Sequence, residues 1–389
     1  MANKTAIVIG AGIVGLATAR ALAVRDYKVK LIERNGKAVG ASIRNFGMIW
    51  PIGQPDDVLY ERAMLSRSIW KQVCDEAGIW YSEAGSLHLA YSKEEWNVLN
   101  ELYEIYRNRN YTLLNSWETT EGSPAVVETN LSGSLYSRDE LIVDPREAIA
   151  KIPVWLNEKY GVQFYWGKTV TDICYPSVYI GKEEMEVDEI YVCSGADFET
   201  LYPEIYTGLP ITKCKLQMMR MATQPGSWRI GPSLCGGLSL LHYNSFKVAP
   251  SLNALKEKFE IDYPDYLKWG IHVMVSQNQD GELTIGDSHE YGSTHDPFNK
   301  QSINDLILSY LKQITRFKDE TITESWNGIY PKLTNGKTGL IVKPEQGVIL
   351  VNALGGAGMT LSFGLSEQMI ANQLREETLQ EMPASNIKF

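Results

Sequence analysis

No apolar stretch in this chain approaches the roughly twenty residues a helix needs to cross a bilayer, so no membrane partner is expected. Cysteine is scarce: Cys74, Cys174, Cys193, Cys214 and Cys235 are odd in number, far apart and without a C-x-x-C pair. That excludes a disulfide framework and fits free, mostly buried thiols in a reducing cytoplasm. Five histidines are scattered along the chain without metal-ligand spacing, so no metal is expected. Positive charge is short as well. Lys and Arg number 37 against 47 Asp and Glu, a net charge of −10 that excludes a general affinity for nucleic acid or acidic membranes. Internal repeats and low-complexity tracts are absent. The N-terminal apolar run passes into a glycine turn rather than a cleavage-like tail, so a signal peptide is not expected and a cytoplasmic location is.

What remains is an ordinary globular composition, 44% hydrophobic and 22% charged over 389 residues, long enough for two lobes. Lys4 to Ile9 reads as a buried parallel strand. Gly10-Ala11-Gly12-Ile13-Val14-Gly15 turns it into a helix opening at Leu16. In such a G-x-G-x-x-G turn, Gly10 permits the bend, Gly12 admits a pyrophosphate and Gly15 lets helix and strand touch. The free N–H groups of the helix's first turn then face the anion. Val29 to Glu33 is the next strand, and Glu33 lies where a carboxylate accepts ribose hydroxyls. The glycine-rich loop from Arg34 to Met48 reads as a surface loop or as a second wall of the cofactor site. In the latter case Ser42 meets phosphate and Asn45 to Met48 approach the reactive ring.

Helical spacing covers Val58 to Glu76, Glu94 to Asn108 and Ser302 to Arg316. Asp144-Pro145 predicts a capped helix through Tyr160. A strand is predicted at 85–91, a strand, turn and strand at 163–173, and a strand at 188–193 that returns beside the nucleotide, with further strands at 216–221, 270–276 and 282–286. The run at 347–352 enters a second glycine turn, Gly355-Gly356-Ala357-Gly358-Met359-Thr360, with a helix from Leu361 to Leu374. The expected architecture is α/β. A Rossmann-like doubly wound lobe comprises 1–84, 145–210 and 335–389; a mixed or antiparallel α+β lobe comprises 85–144 and 211–334.

The opening motif, Glu33, the Gly40-to-Met48 loop, Cys193-Ser194-Gly195 and the Gly355-to-Thr360 turn resemble the FAD-dependent amino acid and amine oxidases. That family includes glycine, sarcosine and D-amino acid oxidases. The stretches Gly236-Gly237-Leu238, Leu241-His242-Tyr243, Trp269-Gly270-Ile271-His272, Gly286 to Gly292 and Trp326 to Pro331 resemble a bacterial branch associated with aminophosphonate utilisation. The resemblance implies non-covalent FAD held at its pyrophosphate by Gly10, Ala11, Gly12, Ile13 and Gly15. It places Glu33 and Arg34 at the adenosine ribose, and Val170, Ser194 and Gly195 along the adenine and phosphates. Ser42, Arg44, Asn45, Phe46, Gly47 and Met48 would line phosphates and flavin ring. Gly355, Gly356, Gly358, Met359 and Thr360 would reach the ribityl chain and pyrimidine edge. Covalent attachment is not expected, because no cysteine is close in sequence to Tyr330 or Gly355.

One departure stands out. Where glycine and D-amino acid oxidases carry an arginine before a proline, this chain has Tyr330-Pro331-Lys332, and a tyrosine cannot make a guanidinium's two-pronged contact. The candidates facing a small-molecule amine are therefore His242, Tyr243, His272, His289, Tyr330 and Lys332, with Met48 and Arg44 from the cofactor loop. His272 reads equally as a core histidine and Trp326 more readily as core. The implied chemistry is hydride transfer from the carbon beside nitrogen to flavin N5, giving an imine that hydrolyses to a carbonyl. The electrons would then pass to O2 or another acceptor. A flavin dehydrogenase serving a carrier or quinone, and a flavin-bound module without turnover, remain open readings.

Overall fold

The computed structural model describes residues 4–374 and the backbone of Leu379–Gln380. The predicted segment beyond Leu374 otherwise lies outside the described residues. Thr5–Ile9 is near the middle of a seven-stranded sheet ordered Leu379–Gln380, Leu340–Val342, Val348–Asn352, Glu189–Val192, Thr5–Ile9, Lys28–Glu33 and Gln163–Trp166. Its two neighbours run parallel to it, with Ile7 opposite both Ile190 and Lys30. The pleat sends Ala6 and Val8 toward Leu16, Ala17, Leu361 and Phe363 on the helices Ile13–Ala23 and Gly358–Ile370. Ile7 and Ile9 point the other way, onto Val178 and Ile180 of a three-stranded antiparallel sheet, Asp172–Cys174, Ser177–Ile180 and Glu183–Glu186. Both faces of the parallel strands are thus covered, which is why they read as unbroken apolar runs. The α/β class is the expected one, with strands rather than helices over the second face.

A nine-stranded, mainly antiparallel sheet forms the other lobe. Its backbone is the long pair Ile211–Met221 and Ile322–Leu333, in register from Ile211↔Leu333 to Arg220↔Glu324. The helices Lys93–Ile105, Leu252–Asp262 and Gln301–Ile314 bury Leu99, Phe259 and Ile307 in the core of this lobe. Between the lobes lies a small sheet of Met48–Ile49, Leu141–Val143 and Tyr81–Ser82, whose strands are too short to leave a periodicity in the sequence.

The helix Pro145–Tyr160 starts where the sequence predicts, because Asp144 accepts from the backbone N–H groups of Arg146 (2.8 Å) and Glu147 (3.2 Å). Several boundaries differ: the first helix begins at Ile13 rather than Leu16, and two further shifts lie beside the site. The last long helix runs Gly358–Ile370 rather than from Leu361, since packing against Val58–Ala77 and Ile13–Ala23 outweighs glycine's weak helix preference. Trp70 Nε1 donates to the Met359 carbonyl at 2.7 Å and fixes that first turn. The strand predicted from Gly270 begins only at Met274. Before it, His272 and Asp287 exchange backbone hydrogen bonds of 3.2 and 2.8 Å outside the ladder, turning both side chains into a cavity. Among the described residues, no helix is long and apolar enough to cross a membrane.

Candidate active site

The turn after the first strand is held open by contact. Gly10 has φ +104°, and a Cβ there would sit 2.5 Å from the Cys193 carbonyl oxygen; one on Gly15 would sit 1.9 Å from the Gly10 oxygen. No larger side chain fits either place. The helix N-terminus therefore opens on a cleft of about 840 Å³. Gly10, Gly12, Ile13, Glu33 and Arg34 line it from the first piece of chain. Ser42 and Arg44 come from the glycine-rich loop, Val170, Ser194 and Gly195 from the middle, and Gly355 and Gly358 from the far end. Glu33 Oε2 accepts from Ala11 N–H at 3.0 Å and its Oε1 from Asn35 N–H at 3.0 Å, which aims the carboxylate across the turn. Ser42 Oγ accepts from Ile13 N–H at 2.9 Å. Arg34 reaches Asp197 at 2.6 Å on the rim.

Three residues expected on the cofactor wall are not on it. Ala11 is fully buried behind Glu33, Gly15 is the helix–strand contact, and Gly47 packs under Val143, whose carbonyl a Cβ would meet at 1.9 Å. They shape the cleft from behind.

A second cavity, about 720 Å³, shares Ile13, Ser42, Arg44, Tyr330, Gly355 and Gly358 with the first. Asn45, Phe46, Met48, Gly356, Met359 and Thr360 line its near side. Thr360 Oγ1 accepts from Trp50 N–H at 2.9 Å, tying the two glycine-rich loops together. On the far side stand His242, Tyr243, His272, His289, Tyr330 and Lys332, which 90 residues of sequence separate and one wall unites. Lys332 Nζ lies 3.0 Å from Tyr291 Oη and 4.9 Å from that ring's centre. Trp326 lines neither cavity and lies between Arg146 and Arg220 instead.

The expectation of scattered histidines is corrected here. The His242 and His272 rings are 3.9 Å apart centre to centre, and His289 is 4.6 and 5.1 Å from them. Desolvation, with the neighbouring imidazoles adding to it, pulls His242 and His272 well below the usual histidine range; burial brings His289 to about 4. The three rings are neutral at physiological pH. Asp287 was not among the residues singled out by sequence, yet its Oδ1 is 3.0 Å from His272 Nε2 and its Oδ2 is 3.9 Å from His289 Nε2. Burial pushes its carboxyl well above the ordinary value. Pairing the strands at 270–276 and 282–286 as a hairpin would have brought the residues just after 286 close to 272. Cys214 is also placed unexpectedly, cross-strand from Tyr330, though it lines neither cavity, whereas Cys193 lines the first. Burial pushes both thiols up to about 12, leaving them protonated and unreactive.

With this geometry in view, the comparisons are specific. The DAO family, FAD dependent oxidoreductase, matches residues 5–372. The chain belongs to that family. It is similar to the D-amino acid dehydrogenase of Helicobacter pylori, 27% identical over 252 residues that cover 50% of this chain and 60% of that protein. The chain thus spans about three fifths of the relative's length. The structure is similar to glycine oxidase from Bacillus cereus ATCC 14579, with a TM-score of 0.76 and 16% identity over 96% of this chain and 97% of that one. Similarity to the L-proline dehydrogenase from P.horikoshii is of the same order, with TM-score 0.75 and 20% identity over 96% and 95% of the two chains.

FAD is the family's cofactor, and the residues present fit it. A helix N-terminus at Gly12 and Ile13, with the Ile13 N–H held by Ser42 Oγ, faces a cleft with a carboxylate, Glu33, on its wall. The cleft continues into a chamber bordered by a second glycine-rich turn.

Proposed function

We propose that this FAD-dependent oxidoreductase oxidises the C–N bond of a small primary or secondary amine carrying an anionic end group, of amino acid or aminophosphonate type. In this reading 1–84, 145–210 and 335–389 build the FAD lobe, and 85–144 and 211–334 cover the substrate. Bound FAD would supply the hydride acceptor, with Gly10, Gly12, Ile13, Glu33 and Ser42 as its principal holders.

The supporting observation is the far wall of the second cavity. Lys332, held against Tyr291, offers an ammonium group to an anion, while neutral imidazoles and Tyr330 offer hydrogen-bonding groups without charge. A chamber closed over by bound flavin and substrate would disfavour an ammonium substrate by desolvation and so favour the neutral amine that hydride loss requires. No side-chain base is needed for that step. Water admitted afterwards hydrolyses the imine to a carbonyl compound. Reoxidation by O2, giving H2O2, is the first reading of the second half-reaction. The similarity to a D-amino acid dehydrogenase favours a second, in which a carrier or quinone takes the electrons.

The test is anaerobic bleaching of the flavin by amino acids, N-methyl amines and aminophosphonates. Bleaching by an anionic amine is expected, and bleaching by none would sink the reading. Peroxide formed per turnover in air then separates oxidase from dehydrogenase.

A further inference from the structure

Several features compete for attention outside the flavin cleft. His88 is buried between Trp50 and Phe246, but neither of the two cavities reaches its ring. The exposed apolar side chains Trp117, Ile261 and Phe298 stand on separate elements. The His242–His272–His289 group carries more.

We infer that His242, His272 and His289, with Asp287, form a site for one divalent first-row transition-metal ion such as zinc on the substrate side of the second cavity. The ligating nitrogens of the three imidazoles already lie within 4.8 Å of one another. They arrive from three separate segments: the residue after the turn Gly237–Leu241, the approach to the strand Met274–Gln277, and the exit from Leu283–Gly286. His289 Nδ1 is 2.9 Å from the Gly270 carbonyl oxygen, which places the ring proton on Nδ1 and leaves the Nε2 lone pair facing the group. A backbone carbonyl fixing the tautomer in this way is the usual support of a metal-binding imidazole.

The second observation is what these atoms lack. His272 Nδ1 and Asp287 Oδ1 are buried without a hydrogen-bond partner. The approach of Asp287 Oδ1 to His272 Nε2 at 3.0 Å is a contact with the wrong angle for a hydrogen bond. His289 Nε2 stands 3.9 Å from Asp287 Oδ2, too far for one. Buried polar groups without partners are destabilising, and a cation held among these side chains would engage the lone pairs turned toward it. Three imidazole nitrogens and a carboxylate oxygen are a donor set that zinc accepts, with nickel, cobalt and iron as rivals. Zinc–nitrogen bonds of about 2.0–2.1 Å put tetrahedral ligands about 3.3 Å apart, so no pair of nitrogens need close by more than about 1.5 Å. His242, half-buried on the cavity wall, is the ring with room to swing. If the amine reading holds, such an ion would give the substrate's anionic end a second positive anchor beside Lys332.

Untagged, flavin-loaded protein is dialysed against zinc, freed of unbound metal and analysed for zinc and flavin. Bound metal of about one per chain is expected, falling at least tenfold in His242→Gln and in His289→Gln at unchanged flavin content. Lys332→Ala should retain its zinc, because that lysine repels the ion. Wild-type protein with no zinc overturns the inference, as do histidine variants that keep theirs. Loss of zinc from Lys332→Ala equal to that in the histidine variants also overturns it, marking an anion pocket. If a histidine variant loses its flavin, cobalt-loaded wild type decides instead: ligand-field bands beyond the flavin absorbance support the site, and none overturns it. Metal content is read without any amine, so failure of the bleaching panel leaves this result standing, and the converse holds.

Discussion

At the scale of single residues, burial sets which groups carry charge. His88 is sealed among apolar side chains with neither ring nitrogen bonded, and burial lowers it to about 3. Above about pH 6.5 both the folded and the unfolded forms hold it neutral. As pH falls below 6.5 the unfolded chain takes up a proton that the folded one refuses, so stability is lost toward pH 3. By about pH 5 that loss is about 2 kcal/mol. His88→Leu should therefore gain about 2 kcal/mol on wild type between about pH 7.5 and pH 5 in urea unfolding, and a constant difference would show that the folded ring takes up its proton as readily as the unfolded one. Lys332 differs, because its cation borders a cavity. Its removal leaves the flavin cleft intact and takes a charged contact worth about 1.5–3 kcal/mol from an anionic substrate. Lys332→Ala should raise KM at least about tenfold with flavin content unchanged; an unaltered KM would take the lysine out of the binding wall. The lysine itself was legible as a candidate because it stands beside Pro331, where the resemblance calls for an anion-binding group. Asp287 was not, since an acid after a glycine reads as a turn until the strand before it is given a partner.

At the scale of elements, local chemistry decides starts and tertiary packing decides lengths. Asp144 caps Pro145–Tyr160 through two backbone N–H groups, and its second oxygen accepts from Asn278 Nδ2 at 3.1 Å, joining that helix to the other lobe. Asp144→Ala should cost about 1–2 kcal/mol in chemical unfolding, and Asp144→Asn should recover most of it; equal losses in both would place the effect outside the cap. The Gly358–Ile370 helix shows the opposite control. Its glycine-rich start does not favour a helix, yet Thr360 and Met359 are tied by hydrogen bonds to Trp50 and Trp70, which hold the turn that borders the second cavity. No window of sequence contains those partners, which lie 310 and 289 residues away.

At the scale of the whole molecule, the two sheets meet along the joined cavities, and FAD would lie between them. A ligand bound only by the folded chain stabilises it by about 2.7 kcal/mol at a hundredfold excess over Kd. Flavin-stripped protein should accordingly unfold at a lower temperature than the holoenzyme and regain the difference as FAD is titrated back; a midpoint indifferent to FAD would count against the cleft. The sequence by itself determined the parallel strand, its glycine turn, the acid on the next strand and the capped helix. Each of these depends on groups a few residues apart, so steric limits and hydrogen bonding write them directly into residue order. Only the tertiary structure decided which three histidines meet, that Asp287 stands between two of them, and that Ala11 and Gly47 lie behind the cleft rather than on it. Those outcomes depend on how distant strands register and which way each side chain turns at a strand's end, and no short-range rule contains either.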